Sequence, residues 1–278
     1  MPIRIVQSKQ NARLKELRRA IAQPGREARG LAGIEGPNLL DEALRAGLRI
    51  TAVFLAQEAK DPLKGLELPP DLDVLMVPQA ILNPALATET PQPVAALVEV
   101  PDWTWAHVLR GRSAWPPLVL VLAGLQDPGN AGTIVRSAEA FGATGVVALP
   151  GTVSLWNPKA VRASAGSVFR VPQLTVTVQE CFATLREAGA RFLCTTGRAA
   201  EPCDMVAMTG PVALIIGNEG NGVPERIAAR ADECVTICCP GPVESLNAAV
   251  AASILLYEAS RQRTEETGSA SSLRGSTR

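Results

Sequence analysis

Apolar positions recur in two rhythms along this chain, and the change of rhythm marks its organisation. From residue 9 to residue 22 the spacing is helical: Leu14, Leu17 and Ile21 share a face, with Arg13, Lys15, Arg18 and Arg19 around the remainder. Pro24-Gly25 stops that helix. A short apolar run, Leu31 to Ile34, leads into Glu35-Gly36-Pro37, where the proline suits the first turn of a helix through Leu39, Leu40, Ala43 and Leu44, ended by Gly47. Ile50 to Ala56, Val74 to Val77 and Val94 to Val100 read as strands, with a short helix after Pro78. Residues 1–100 thus form a small α/β domain. Pro101 to Pro117 reads as a linker, and its Trp103, Trp105 and Trp115 fit packing onto a domain surface better than stacking on bases.

Beyond Pro117 the strands become continuously apolar, as expected when both faces are buried in a parallel sheet. Leu118 to Ala123, Val146 to Leu149, Arg191 to Thr195, Val212 to Ile216 and Cys234 to Cys238 are such runs, and T-I-V-R-S-A-E-A-F, residues 133–141, is a helix between the first two. Strands alternating with helices predict βαβ crossovers and a ligand site at the carboxyl ends of the strands. This second domain spans residues 118–263. The Ser-, Gly-, Thr- and Glu-rich tail, 264–278, reads as disordered.

Composition narrows the function classes. The 278 residues are 47% hydrophobic and 19% charged, the balance of a well-filled globular core. No uncharged apolar run reaches about 18 residues, so no membrane-spanning helix is expected. The N-terminus lacks the apolar centre of a signal peptide, which favours the cytoplasm. The formal charge is zero, from 27 basic and 27 acidic residues, yet residues 1–30 hold eight Lys/Arg against two Glu. That basic arm suits either a nucleic-acid partner or a plain solvated face. All six cysteines lie in the second half, and Cys181, Cys194 and Cys234 read as reduced core residues. With no C-x-x-C pair and His107 the sole histidine, neither a metal site nor a Ser-His-Asp hydrolase is expected.

Three loops follow apolar strands: Q-D-P-G-N-A-G, I-I-G-N-E-G-N-G-V-P and C-C-P-G-P-V-E-S-L-N-A-A. None is a G-x-G-x-x-G or P-loop fingerprint, and each singly could be an ordinary turn before a helix. All three emerge on one side of a parallel sheet, which points to a shared site. The third opens into a helix rich in small residues, Ala248, Ala249, Ala251, Ala252 and Ser253, against which another backbone could lie closely.

P-G-N-A-G-T-I-V-R-S-A, I-G-N-E-G-N-G-V-P and I-C-C-P-G-P-V-E-S-L-N-A-A-V-A, in this order, resemble the three motifs of the SpoU (TrmH-type) branch of the SPOUT RNA methyltransferases. The N-terminal part, with Asn11, Lys15 and Glu35-Gly36, is similar to the ribosomal-protein-like RNA-binding domain that many members carry. The resemblance implies an α/β fold whose C-terminal segment threads a deep trefoil knot, and a homodimer. It implies S-adenosylmethionine as cofactor, contacted at Gly217, Ile237 and Leu246 and lined by Thr195, Thr196 and Gly197. It assigns catalysis and substrate placement to Asn130, Arg136, Glu219, Ser245 and Asn247, and RNA contact to Asn11, Arg13, Lys15, Arg18, Arg19 and Glu35. One departure stands out: Ile237-Cys238-Cys239 replaces the Ile-Pro-Met frequent in the family.

The implied reaction methylates a ribose 2′-hydroxyl in RNA, with ribosomal RNA favoured over transfer RNA by the appended domain. Arg136 would stabilise the alkoxide and grip a phosphate rather than act as a base, because guanidinium resists deprotonation. The alternatives are a non-catalytic RNA-binding or ribosome-assembly protein of the same fold, which the retained polar motif positions oppose, and a nicotinamide-dependent enzyme, which the missing fingerprint opposes.

Overall fold

The computed structural model describes residues 3–24, 30–110, 115–197, 200–243 and 245–275. Pro24-Gly25 and most of the basic stretch after it therefore lie partly outside the described residues, as do Gly111 to Ala114 of the expected linker. The chain divides into two compact units: Met1–Asp102 with Ser154–Arg170, and Trp103–Val153 with Val171–Arg278.

In chain order the first stretch forms β1 (Ile3–Ile5), α1 (Ala12–Ala22), β2 (Leu31–Glu35), α2 (Pro37–Arg45), β3 (Ile50–Ala56), β4 (Val74–Val77), α3 (Gln79–Leu82) and β5 (Val94–Glu99). There follow α4 (Trp105–Arg110), β6 (Leu118–Ala123), α5 (Pro128–Ala140), β7 (Gly145–Ala148), α6 (Pro158–Ala163), β8 (Gln173–Thr175), α7 (Val178–Glu187) and β9 (Arg191–Thr195). The remainder is β10 (Glu201–Pro202), β11 (Val212–Gly217), α8 (Glu225–Ala228), β12 (Glu233–Thr236) and α9 (Ala248–Gly275).

The first unit is a mixed sheet in the order β1-β4-β3-β5-β2, antiparallel only where β5 meets β3 and β2. Leu14 and Leu17 of the expected stripe on α1 are buried with Ala20 in one core cluster with Phe54, Leu75, Val77 and Leu97, and Ile21 packs against it partly buried. The unit also takes in α6 and its flanks. Asn157 caps α6, accepting from Lys159 N at 2.9 Å, and Pro158 occupies the first turn. Arg170 donates to Glu42 of α2 at 2.6 Å, and Gly166, at φ +85°, lies so close that a Cβ there would sit 2.7 Å from Glu42 Cβ. Within the expected domain over 118–263, residues 154–170 group with the first unit, where α6 lies against β2 and Arg170 pairs with Glu42.

The second unit is an all-parallel sheet, β10-β12-β9-β11-β6-β7-β8. β6 and β11 are buried at every residue, as their unbroken apolar runs require. Register sets Gly217 beside Ala123, Ile215 beside Cys194, and Val235 beside Thr195, so four central strands end at one edge. The expected linker is not free chain. Val108 of α4 is fully buried in this unit's core, and α4 crosses β7 where Gly145 admits it; a Cβ on Gly145 would lie 2.7 Å from Val108 Cγ1. Trp105 donates to Glu180 at 3.0 Å and Trp103 meets His107 edge-on, so these rings are packed rather than presented.

Two further expectations are corrected. The tail after Arg263 is helical through Gly275: it lacks proline, and Arg261 forms i,i+4 bonds of 2.7 and 2.8 Å to Glu265. Cys234 is exposed, not a core residue, because strand alternation turns Val235 inward in its place.

Candidate functional site

The site grows from the common carboxyl edge of β6, β9, β11 and β12. After β6 the chain enters α5 five residues earlier than the apolar pattern indicates. Asp127 is its N-cap, accepting from Asn130 N at 2.8 Å, and Pro128 takes the first helical position. Asn130 therefore stands in the first turn of α5, among donors that the helix leaves unpaired.

After β11 the loop closes on itself. Asn218 and Gly222 exchange two backbone bonds of 2.9 Å, with Gly222 at φ +66°. Asn218 Oδ1 accepts from Gly220 N at 2.8 Å and Asn221 N at 3.3 Å. Its Nδ2 donates to Gly124 O at 2.9 Å, tying the β11 loop to the β6 loop. Gly217 is the tightest point: a Cβ there would come within 2.1 Å of Gly222 C and 2.2 Å of Val223 N.

Glu219 sits on this loop and reaches the first one. It accepts from Asp127 N at 3.1 Å, Gln126 N at 3.3 Å and Asn130 Nδ2 at 3.0 Å. Partial burial opposes its charge, but the bonds from Asn130, Asp127 and Gln126 outweigh this and hold its pKa below the ordinary carboxylate value. The third loop joins through Asn247, whose Nδ2 donates to Asn130 Oδ1 at 3.0 Å while its Oδ1 caps α9, accepting from Ala249 N at 2.9 Å and Val250 N at 3.3 Å. Glu219, Asn130 and Asn247 are thus one hydrogen-bonded chain across all three loops.

Two other expected polar residues stand outside that chain. The Arg136 side chain, exposed on α5, makes no hydrogen bond or ion pair among the described residues, and neither does that of the exposed Ser245. Both are free to meet a substrate.

The expected cofactor residues cluster at the ends of β9, β11 and β12. Thr195 donates its hydroxyl to Ile215 O at 2.9 Å and so spends it inside the sheet. Thr196 N donates to Val235 O at 3.0 Å. β12 ends at Thr236, short of the expected Cys238, because its ladder partners end first, β9 at Thr195 and β10 at Pro202, leaving Ile237 in the loop. The backbone N–H groups of Gly197, Ile237 and Leu246 donate to nothing among the described residues. Three idle donors beside apolar strand ends are what the edges of an adenine and the polar groups of an adenosyl cofactor require, so the chain's residues fit that group.

Of the expected RNA contacts, the side chains of Lys15 and Arg18 are without a hydrogen bond or ion pair among the described residues, and Arg19 is exposed. Asn11 is the N-cap of α1, accepting from Arg13 N at 2.9 Å and Leu14 N at 3.3 Å. Arg13 pairs with Glu16 at 2.7 Å. Glu35 has an internal task in place of an RNA contact: it is 7% exposed and accepts from Thr88 Oγ1 and, at 2.9 Å, from Gln92 N. Sequence reasoning missed Asp127 and Asn218, although Asp-Pro is a recognisable N-cap followed by an N1 proline and Asn beside Gly is a turn signal. Among the described residues no group of three His, Cys, Asp or Glu is placed to hold a metal, and no helix is long and apolar enough to cross a membrane.

A parallel sheet with three polar loops joined over its carboxyl edge defines an α/β ligand-binding fold, and comparison with known proteins specifies it. Residues 117–257 match the model of the SpoU rRNA Methylase family, and residues 11–96 match an MRM3-like substrate binding domain. The chain belongs to the SpoU rRNA methylase family. It is 29% identical over 252 residues to the 23S rRNA (guanosine(2553)-2′-O)-methyltransferase RlmP of Bacillus subtilis, covering 91% of this chain and 97% of that protein. An uncharacterized tRNA/rRNA methyltransferase of Mycobacterium ulcerans is 33% identical over 260 residues, 88% of this chain and 83% of its own. The structure of the SpoU methyltransferase AviRb from Streptomyces viridochromogenes in complex with AdoMet aligns with a TM-score of 0.81 at 27% identity, covering 92% of this chain and 99% of that one.

Proposed function

We propose that this chain transfers a methyl group from S-adenosylmethionine to a ribose 2′-hydroxyl in ribosomal RNA. The observation that carries the reading is the Glu219–Asn130–Asn247 chain, which fixes three loops over one sheet edge beside idle backbone donors. The family, the AdoMet complex of AviRb and the ribosomal substrate in the name of the Bacillus relative support it.

In this reading Gly197, Gly217, Ile237 and Leu246 hold the cofactor through backbone groups, and Thr195 and Thr196 line the pocket. The cofactor supplies an electrophilic methyl group on a sulfonium. The protein's part is to aim the hydroxyl and to stabilise the charge that develops on its oxygen. Arg136 does the second, as a permanent cation with free donors that also grips the neighbouring phosphate. Asn130, locked from both sides, and the exposed Ser245 orient the ribose. Glu219 acts by holding the β6 loop. Lys15, Arg18 and Arg19 bind RNA phosphates.

The knot and the homodimer belong to the same proposal. Val250, Ile254 and Tyr257 form an i, i+4, i+7 stripe on α9, with Val250 48% and Tyr257 56% exposed, an apolar surface suited to a second copy. A cytoplasmic location belongs to the same proposal. The test is transfer of labelled methyl from S-adenosylmethionine into ribosomal RNA from cells lacking the protein. Label in alkali-resistant dinucleotides is expected; label released as methylated bases, or none, would overturn the reading.

A further inference from the structure

The insertion between β7 and β8 brings a cation to the first unit. Asn157 and Pro158 start α6, whose Ala160 and Val161 are buried while Arg162 is exposed. The segment is well fastened. The fully buried Ser164 donates to Val161 O at 2.8 Å, Trp156 packs on Phe169 with ring centroids 5.8 Å apart, and Arg170 pairs with Glu42. Arg162 thus stands on a rigid platform, yet its side chain makes no hydrogen bond or ion pair among the described residues.

Beside it lies a carboxylate with one oxygen to spare. Glu35 and Arg162 line the same cavity, of about 10 Å³, together with Ile21 of α1 and Pro158 and Val161 of α6. Glu35 is 7% exposed, and Thr88 and Gln92 both donate to its Oε1. Its Oε2 is buried without a hydrogen-bond partner among the described residues. A buried carboxylate oxygen left unbonded is costly, so it draws the nearest donor. The cavity has room for one water and none for a base or a ribose, so no RNA group reaches Glu35 itself. Arg162 is the only lining residue among those described that brings a side-chain donor.

We propose that Arg162 is an RNA-phosphate contact of the first unit and that Glu35 is its positioning residue. The spare carboxylate oxygen holds one edge of the guanidinium, directly or through the one water the cavity admits, and the other edge faces outward. This rests on the reading of the chain as an RNA-modifying enzyme and adds to it a site from a segment outside the family's substrate binding domain match, residues 11–96.

The chemistry suits an arginine. Its planar fork carries five donors, so one edge can serve a carboxylate while the other takes two phosphate oxygens. The Glu35 charge stays buried behind it, where a phosphate cannot approach. Arg18 lies on the flank of α1 that Ile21 turns to the cavity, one helical turn earlier, so Arg162 continues the basic face of α1.

The test measures binding of the full-length protein to a transcript of 23S ribosomal RNA over a range of salt. Phosphate contacts carry no sequence information, so any stretch of that RNA serves. Arg162→Ala should weaken binding about fivefold at about 0.1 M salt and flatten the slope of log affinity against log salt by about one. Its melting temperature and its affinity for S-adenosylmethionine should not change. Arg162→Lys should restore the slope but only part of the affinity. Glu35→Gln keeps an acceptor for Thr88 and Gln92; it should weaken RNA binding alone and cost nothing further in Arg162→Ala, because it acts through that residue. An unchanged slope or a lowered melting temperature in Arg162→Ala, or equal losses from Glu35→Gln in both backgrounds, overturns the proposal while the wild-type binding stands. A wild-type protein that binds no RNA overturns the reading beneath it as well.

Discussion

Glu219 shows how one exposed carboxylate can organise a site. Its pKa in the folded chain lies below the unfolded value, so its contribution is present above the ordinary carboxylate pKa and disappears as pH falls through the lowered one. Protection of the Gln126 and Asp127 amides, measured relative to the intrinsic exchange rate at each pH, should hold from neutrality down to the ordinary carboxylate range and be lost as pH falls below it. In Glu219→Gln the same amides should exchange faster, by about three- to tenfold, with no such acid dependence. Gly217 is constrained by space alone: Gly217→Ala must push the 222–223 backbone aside, at about 1–3 kcal/mol, which a lower melting temperature and lost cofactor binding would report. Arg136 is the opposite case, a residue without structural work. Arg136→Ala should fold and bind the cofactor normally while methyl transfer drops at least a hundredfold; full activity would sink its assignment.

The helices and strands differ in how openly the chain announces them. β6 and β11 are buried on both faces and read directly from their unbroken apolar runs, whereas β1, β8 and β10, of two or three residues, leave no pattern. α6 and α7 carry real signals, Asn157-Pro158 and Thr177 accepting from Glu180 N, but their short apolar stretches do not announce which surface they cover. α9 depends on tertiary anchors at both ends. Asn247 caps it at the carboxyl edge of the sheet, and Arg263, 1% exposed, donates to Met208 O at 2.9 Å, Pro116 O at 2.6 Å, Gly210 O at 2.7 Å and Pro117 O at 3.3 Å at the other edge. The helix thus runs back across the whole sheet, roughly 24 Å in sixteen residues. Burial lowers the Arg263 pKa to about 10, which leaves it charged at neutral pH. Arg263→Met should cost on the order of 3 kcal/mol by leaving those carbonyls unpaired, read as an earlier denaturation midpoint at unchanged slope.

For the molecule as a whole, charge distribution and symmetry are the quantities to test. The basic residues of α1 should make RNA affinity fall steeply with salt, and Lys15→Ala with Arg18→Ala should flatten that slope by about two. Tyr257→Glu puts a charge in the exposed stripe of α9 and should turn a dimer into a monomer in sedimentation; a wild-type monomer would remove the dimer from the proposal. The alternation of elements, the three polar loops and their common side of the sheet were legible in the chain, because backbone propensity and burial act on neighbouring residues. The three-dimensional fold alone decided that Glu35 turns inward, that Ser154–Arg170 joins the first unit, and that Asn130 is held between Glu219 and Asn247, partners 89 and 117 positions away. Such contacts are chosen by packing across elements, which no local spacing encodes.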